Sequence, residues 1–318
     1  MSIAKDYFQG IRIKGGKIYA GTTGAVIDID KSLLSSVKAV IKIYLYFKLL
    51  QIKQLFKKPI PRKTIAFHPQ MPGPWFNIWE VTRLAGLKTI SDITKADYVF
   101  VFEDSTKTKF DKAALKALQV PLINLDINDI SKEHVADVFK ATFGYNLRID
   151  PTTHEGLAIR KSDSNGTHDG LVIECPIDPS ELMDGQTYQH LVDSTFDGEA
   201  SEDLRVMCTM GELAVIYHKF KPLEDRFGTD YLKVDVYEAK NVFSNEEIIL
   251  IKSFCAKMKL DFGAIDVMRD KNNGKIYIVD VNKTGMPVMC LKLKTQIDCQ
   301  QKVANALLGG LNMHAPLR

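Results

Sequence analysis

Cysteine is scarce and scattered. Its five residues, Cys175, Cys208, Cys255, Cys290 and Cys299, lie far apart and never in a Cys-x-x-Cys or Cys/His ligand spacing, which argues against a disulfide framework and a structural zinc site. Long apolar runs are also missing. Lys38, Lys42 and Lys48 interrupt the most hydrophobic stretch, so no segment reaches the roughly 20 apolar residues of a bilayer-spanning helix. The opening residues, MSIAKDYFQG, carry no basic segment followed by an apolar core, and a reducing cytoplasm is the expected setting. Glycine (20) and proline (12) are at ordinary levels for 318 residues that are 45% hydrophobic and 25% charged, so fibrous and low-complexity classes are out.

Acidic residues are absent from Lys31 through Trp79. Nine basic ones stand there: Lys31, Lys38, Lys42, Lys48, Lys53, Lys57, Lys58, Arg62 and Lys63. Taking nine from 42 Lys+Arg leaves 33 against 39 acidic residues, so the net charge of +3 hides an acidic body behind a basic N-terminal part. No nucleic acid partner is expected of such a body. Residues 33–58 lack Gly and Pro and set Lys38, Lys42, Lys53 and Lys57 on one side of a helical projection, which predicts a basic amphipathic helix ended by Pro59 and Pro61. Docking onto the body and peripheral contact with an anionic membrane are both open for it. Residues 10–30 alternate short β-type runs with glycines and read as a small hairpin or an irregular lead-in.

Three segments follow: an N-terminal extension (1–61), a small α/β domain (62–128) and a larger domain (129–318). In the second, strands at 63–69, 96–103 and 120–124 alternate with helices at 75–87 and 109–118, which predicts a parallel sheet. The third opens with a helix at 131–144, with Ser131 as N-cap and Gly144 as C-cap. It continues with strands at 156–162, 170–176, 203–210, 212–220, 261–270 and 275–282, and a helix at 245–259. The fold class is therefore α/β with an α+β character.

Residues 264–287, AIDVMRDKNNGKIYIVDVNKTGMP, carry most of the chemistry. Asn272-Asn273-Gly274 is a hairpin turn between two β-type runs. Alternation puts Asp280 and Asn282 on one face, and the hairpin brings Asp266 beside them. Hard oxygen donors so grouped suit magnesium, which completes its shell with water and nucleotide phosphates. Solvent-facing strand acids are the plainer alternative.

Gly263-Ala264-Ile265-Asp266 and Asp280-Val281-Asn282, followed by Lys283-Thr284-Gly285-Met286-Pro287, resemble the last strands of the ATP-grasp superfamily, in the manner of glutathione synthetase, ribosomal-protein glutamate ligase and D-alanine:D-alanine ligase. The resemblance implies an ATP-grasp fold preceded by a small parallel α/β domain, with ATP and Mg2+ as cofactors and Asp266, Asp280 and Asn282 holding the metal. It implies that GLAIRKSDSNGTHDG (156–170) supplies Lys161 to a phosphate and lays Ser164, Gly166 and Gly170 over the triphosphate, where a lysine and backbone N–H groups suit the charge. Lys132 stands as the second nucleotide lysine, with Lys140 competing. By position, Gln189, His190 and Leu191 meet adenine and Asp193 the ribose. Asp203-Leu204-Arg205, His218-Lys219-Phe220-Lys221 and Arg226 resemble the basic groups that take the transferring phosphate, so Arg205, Lys219 and Arg226 are the catalytic candidates.

One position departs from the pattern. Ala264 stands where many of these ligases have arginine, leaving Arg205, Arg226 or Arg269 to substitute. The expected activity is an ATP- and Mg-dependent carboxylate:amine ligase acting through an acyl phosphate. Its expected acceptor is a small molecule or a glycan, such as a cell-surface polysaccharide or its precursor, since similar ATP-grasp proteins accompany polysaccharide genes. A kinase acting on a sugar hydroxyl and a membrane-associated binding protein are the alternatives. For the acceptor, the loop HPQMPGPWFNIW (68–79) offers His68 and Trp75, with Trp79 as a core residue, and the glycine loop offers His168 and Asp169, which equally suit a turn.

Overall fold

The computed structural model describes residues 11–20, 26–29, 31–55, 62–167, 169–228 and 231–314. Two units divide the chain, Met1–Leu125 with Thr284–Arg318, and Asp126–Lys283.

The first unit begins with an antiparallel meander of β1 (Ile11–Lys14), β2 (Lys17–Ala20) and β3 (Val26–Asp28), so the expected hairpin gains a third strand. Helix α1 (Lys31–Leu55) follows; the rest of the 33–58 expectation lies outside the described residues. Its Ile43 and Phe47 are buried against Trp79, with the Phe47 and Trp79 rings edge to face at 5.4 Å. Docking is therefore observed for this side of the helix, and Trp79 is a core residue.

β4 (Thr64–Pro69), β5 (Lys88–Ile90), β6 (Tyr98–Phe102) and β7 (Leu122–Ile123) form a parallel sheet in the order β5-β4-β6-β7. All five residues of β6 are buried, as expected of a parallel strand covered on both faces. Helix α2 (Asn77–Leu84) starts two residues later than the 75–87 expectation. The 109–118 helix contracts to one turn, α3 (Ala113–Lys116), and the Asp111 carboxylate accepts the Ala113 N–H at its start. The C-terminal helix α6 (Leu293–His314), unforeseen in sequence, packs on α2.

That packing buries Glu80 completely. Gln296 Nε2 donates to both of its oxygens, at 3.1 and 3.2 Å, yet burial pushes the carboxyl up from 4.5 to about 8. The folded state thus holds the proton more tightly than the unfolded chain, and stability from this group is lost as pH rises from 4.5 to about 8. Glu80→Gln should flatten that part of the melting-temperature profile and raise the melting temperature at pH 8 by roughly 5 °C. Gln300 Oε1, buried without a hydrogen-bond partner, stands close by to accept from the new amide. An unchanged slope between pH 5 and 8 would remove Glu80 as its source.

The second unit opens with α4 (Lys132–Phe143). Ser131 Oγ accepts from the His134 N–H at 3.4 Å, and Gly144 closes the helix with φ of 79°, a backbone state that favours glycine. Two antiparallel sheets follow. β8 (Gly156–Ser162), β9 (Leu171–Cys175) and β10 (Gln186–His190) make the first, in the order β10-β8-β9. β11 (Ala200–Thr209), β12 (Glu212–Pro222), β13 (Lys233–Tyr237), β14 (Phe262–Arg269) and β15 (Ile276–Asn282) make the second, in the order β13-β12-β11-β14-β15. Helix α5 (Asn245–Lys257) is started by a reciprocal capping box of Ser244 and Glu247. Leu204, Val206, Ile216, Ile265, Val267 and Val281 cluster with Val135 and Phe139 of α4 and with Ile251 and Phe254 of α5. One face of the five-stranded sheet is thus a buried apolar floor for two helices.

Candidate active site

Strand alternation turns the other face of that sheet polar. Asp203 lies opposite Lys219, Arg205 opposite Asp266, and Asp266 opposite Asp280, so these side chains share the face away from the helices. A bulge between Asp266 and Val267 interrupts the ladder just beyond the acid. A Cβ on Gly263 would stand 2.6 Å from the Asn282 carbonyl oxygen, so the close approach of the two strands at Asn282 requires glycine there.

The cations and acids interlock. Arg205 grips Asp266 with two bonds, Nε to Oδ1 at 3.0 Å and Nη2 to Oδ2 at 2.9 Å. Lys219 Nζ lies 2.5 Å from Asp203 Oδ1 and 3.2 Å from Asp266 Oδ1, and Lys221 Nζ lies 3.6 Å from Asp203 Oδ2. Burial works against the charge of Asp266, but Arg205 and Lys219 overcome it and hold the carboxyl far below its ordinary range. Burial likewise opposes the charge on Lys219, and Asp203 and Asp266 more than restore it. The forked Arg205 geometry is the one that matches carboxylate or phosphate oxygens.

Asp280 is treated differently by its surroundings. Its Oδ2 accepts from Asn282 Nδ2 at 3.2 Å, while Oδ1 is buried with no hydrogen-bond partner. Burial raises its pKa, against the pull of Lys132 and Lys161. Lys161, on β8, reaches the Val279 carbonyl at 3.4 Å, and burial pushes it down to about 8 although Asp280 opposes the shift. Lys132, at the first turn of α4, donates to the Ser164 carbonyl at 2.6 Å. Asn165 clasps the loop to β15, donating to the Val281 carbonyl at 3.1 Å and to Asn282 Oδ1 at 3.2 Å. A buried carboxylate oxygen with no protein partner, beside an amide oxygen and two lysines, fits a hard cation carrying phosphates. Among the described residues no three His, Cys, Asp or Glu side chains group to hold a metal by themselves, so waters and phosphates would complete the shell.

The remaining sequence candidates separate into groups. Ser164 and Gly166 are exposed in the loop, and Gly170 lies against the Phe227 ring. Asp169 accepts from the Ser162 N–H at 3.1 Å and from Thr167 Oγ1 at 2.8 Å, so it shapes the turn. His168 lies outside the described residues. Gln189 Nε2 is buried without a partner and Leu191 is half-buried, whereas the His190 N–H already donates to the Leu147 carbonyl at 2.9 Å. Asp193 Oδ1 accepts from the Thr195 N–H at 3.1 Å. Arg226 is not on the charged face: it donates to the Val192 carbonyl at 3.0 Å and to Ser194 Oγ at 3.3 Å, pinning the 190s segment. Arg269 pairs with Glu247. Of the arginines weighed against the Ala264 departure, Arg205 alone joins the acids. In the first unit, His68 meets the Phe110 ring edge on at 5.4 Å, and Trp75 is half-buried with its ring 5.9 Å from that of Phe76.

Asn165 and Asp203 were not among the sequence candidates. Asp203 had a signal, since Asp-x-Arg and Lys-x-Lys alternate in strands that pair. Asn165 lay within the loop expected over the triphosphate, but its clasp on β15 had no signal, because its partners lie 116 and 117 residues away.

Among solved structures the chain is similar to the ATP-grasp ligase PsnB complexed with a phosphomimetic variant of minimal precursor, Mg and ADP. The identity is 9%, the match covers 79% of this chain and 99% of that one, and the TM-score is 0.51. The fold is the ATP-grasp fold. PsnB complexed with precursor peptide PsnA2 and AMPPNP agrees, at 10% identity, 80% and 100% coverage and a TM-score of 0.50. No family model matches the sequence, and no curated protein matches it. The ATP-grasp fold thus rests on the arrangement of elements.

Proposed function

We propose that this chain is an ATP-dependent ligase that activates a carboxylate as an acyl phosphate and passes it to an amine. The observation that carries the reading is Asp280: a buried carboxylate with one oxygen unpartnered, next to Asn282, Lys161 and Lys132, on an ATP-grasp fold. That PsnB is a ligase seen with Mg and ADP supports it.

Lys161 and Lys132 bind phosphate oxygens, and the backbone of the 162–170 loop covers them. Asp280 and Asn282 hold magnesium, with Asp266 beside them; magnesium supplies charge neutralisation at the phosphates. Arg205 and Lys219 face the transferring phosphoryl group and the acyl phosphate, and Asp266 and Asp203 keep these cations charged and oriented. Gln189 and Leu191 receive the adenine and Asp193 the ribose. No side-chain nucleophile is needed, because the acceptor carboxylate attacks phosphorus and the amine then displaces phosphate.

Acceptor recognition is assigned to the first unit. β4 and β6 are neighbours whose onward connections run to opposite sides of the parallel sheet, and ligands bind at the carboxyl ends of such strands. His68 is the penultimate residue of β4 and Trp75 lies in the loop after it. A glycan, a peptide and a smaller acid all suit an indole beside polar groups. A second reading, phosphoryl transfer to a hydroxyl, draws on Ala264, which is 1% exposed and leaves no cation at the position where many ligases of this type carry arginine.

The deciding measurement is a mass-spectrometric screen of ATP consumption with candidate carboxylates, amines and glycans. ADP with free phosphate and a condensed product is expected. ADP with phosphate retained on the acceptor would replace the ligase by a kinase, and no nucleotide consumption with any acceptor class would remove both.

A further inference from the structure

We propose that the outer side of α1 is a seat for an anionic lipid surface, which the helix meets lying flat. The inner side is spent on the body through Ile43 and Phe47. Leu34, Val37, Ile41, Leu45 and Leu49, spaced by three and four, run along the opposite side. Four of them, Leu34, Ile41, Leu45 and Leu49, are more than half exposed. Single exposed apolar residues are ordinary, but a stripe on one helix marks an interaction surface.

Charge decides what covers it. Lys38 and Lys48 are exposed within the stripe and Lys42 beside it, and no acidic residue occurs from Lys31 through Trp79. A second copy packed helix to helix would bring the same lysines against these, with no acidic residue on either helix to neutralise them. Anionic headgroups neutralise all three, while the lysine stems lie along the apolar stripe and the ammonium groups reach the headgroups. No helix among the described residues is long and apolar enough to cross a membrane. The surface is independent of the ligase reading.

Sedimentation of the full chain with vesicles tests it. Equimolar phosphatidylcholine and phosphatidylserine should bind on the order of a hundredfold more strongly than phosphatidylcholine alone, because each of three lysines gains near the charged surface. Added salt should weaken the binding. Ile41→Asp with Leu45→Asp should abolish it, and reversing Lys38, Lys42 and Lys48 to glutamate should remove the preference for the charged vesicles. Both variants change exposed side chains only, so their melting temperatures should match the parent. Equal recovery with both vesicles, or recovery with neither, would overturn the proposal. So would a dimer in light scattering that Ile41→Asp with Leu45→Asp dissociates while vesicles recover no protein.

Discussion

Asp280→Asn is expected to abolish nucleotide turnover and to leave the melting temperature unchanged or higher. In the protein without nucleotide, Asp280 is a burden: its Oδ1 is buried without a partner, and burial raises its pKa. An amide of the same shape carries no charge to desolvate. With nucleotide the balance reverses, because an amide cannot neutralise a divalent cation held against phosphates, and a loss of roughly a thousandfold in ATP consumption follows. Turnover within tenfold of the parent in a folded variant would sink the metal assignment. ADP release and a thermal melt on the same sample measure both halves.

Asp266→Asn should fail in the opposite way. Asp266 is the common partner of Arg205 and Lys219, bonded at 2.9 to 3.2 Å. Taking its charge away leaves two buried cations with Asp203 as the remaining acid beside Lys219. Breaking a buried ion cluster from one side costs about 3 kcal/mol or more, so the melting temperature should fall clearly before any assay is run. The pH dependence has a definite sign. A carboxyl held below its ordinary value of 3.8 contributes stability that is present above that value and lost as pH falls beneath it. The parent should therefore show an acid-limb loss that Asp266→Asn lacks. A melting temperature equal to that of Asp280→Asn would mean that the two acids are equivalent and that the cluster is not structural.

Adjacent in register, the two acids differ because of what stands across from each. Asp266 faces Arg205 of β11, whereas Asp280 lies in the last strand of the sheet order and looks to Lys161 and Lys132 from other elements. The division of labour comes from sheet topology and not from the local sequence around either acid.

What the sequence determined by itself is local. The Asn272-Asn273-Gly274 turn and the alternation on both sides of it placed Asp266, Asp280 and Asn282 on facing strands, because a period of two and a turn signal act over a few residues. Ser131 and Gly144 marked the ends of α4 for the same reason: capping is chemistry between residues three or four apart. The tertiary structure alone decided the pairings over long separations. Arg205 meets Asp266 across 61 residues, which removes both oxygens of that acid from open space, and Arg226 goes to Val192 instead of the charged face. It also decided that α6 buries Glu80 in the first unit, although α6 follows the last strand of the second in the chain. In α1, apolar residues line both sides, so periodicity could not say which side docks; the packing of Ile43 and Phe47 on Trp79 settled that and left Leu34, Ile41 and Leu45 outside. The physical reason is common to these cases: propensity, turns and caps are short-range, whereas register between distant strands and the choice of a buried face are set by which arrangement leaves the fewest charges and apolar groups unpaired.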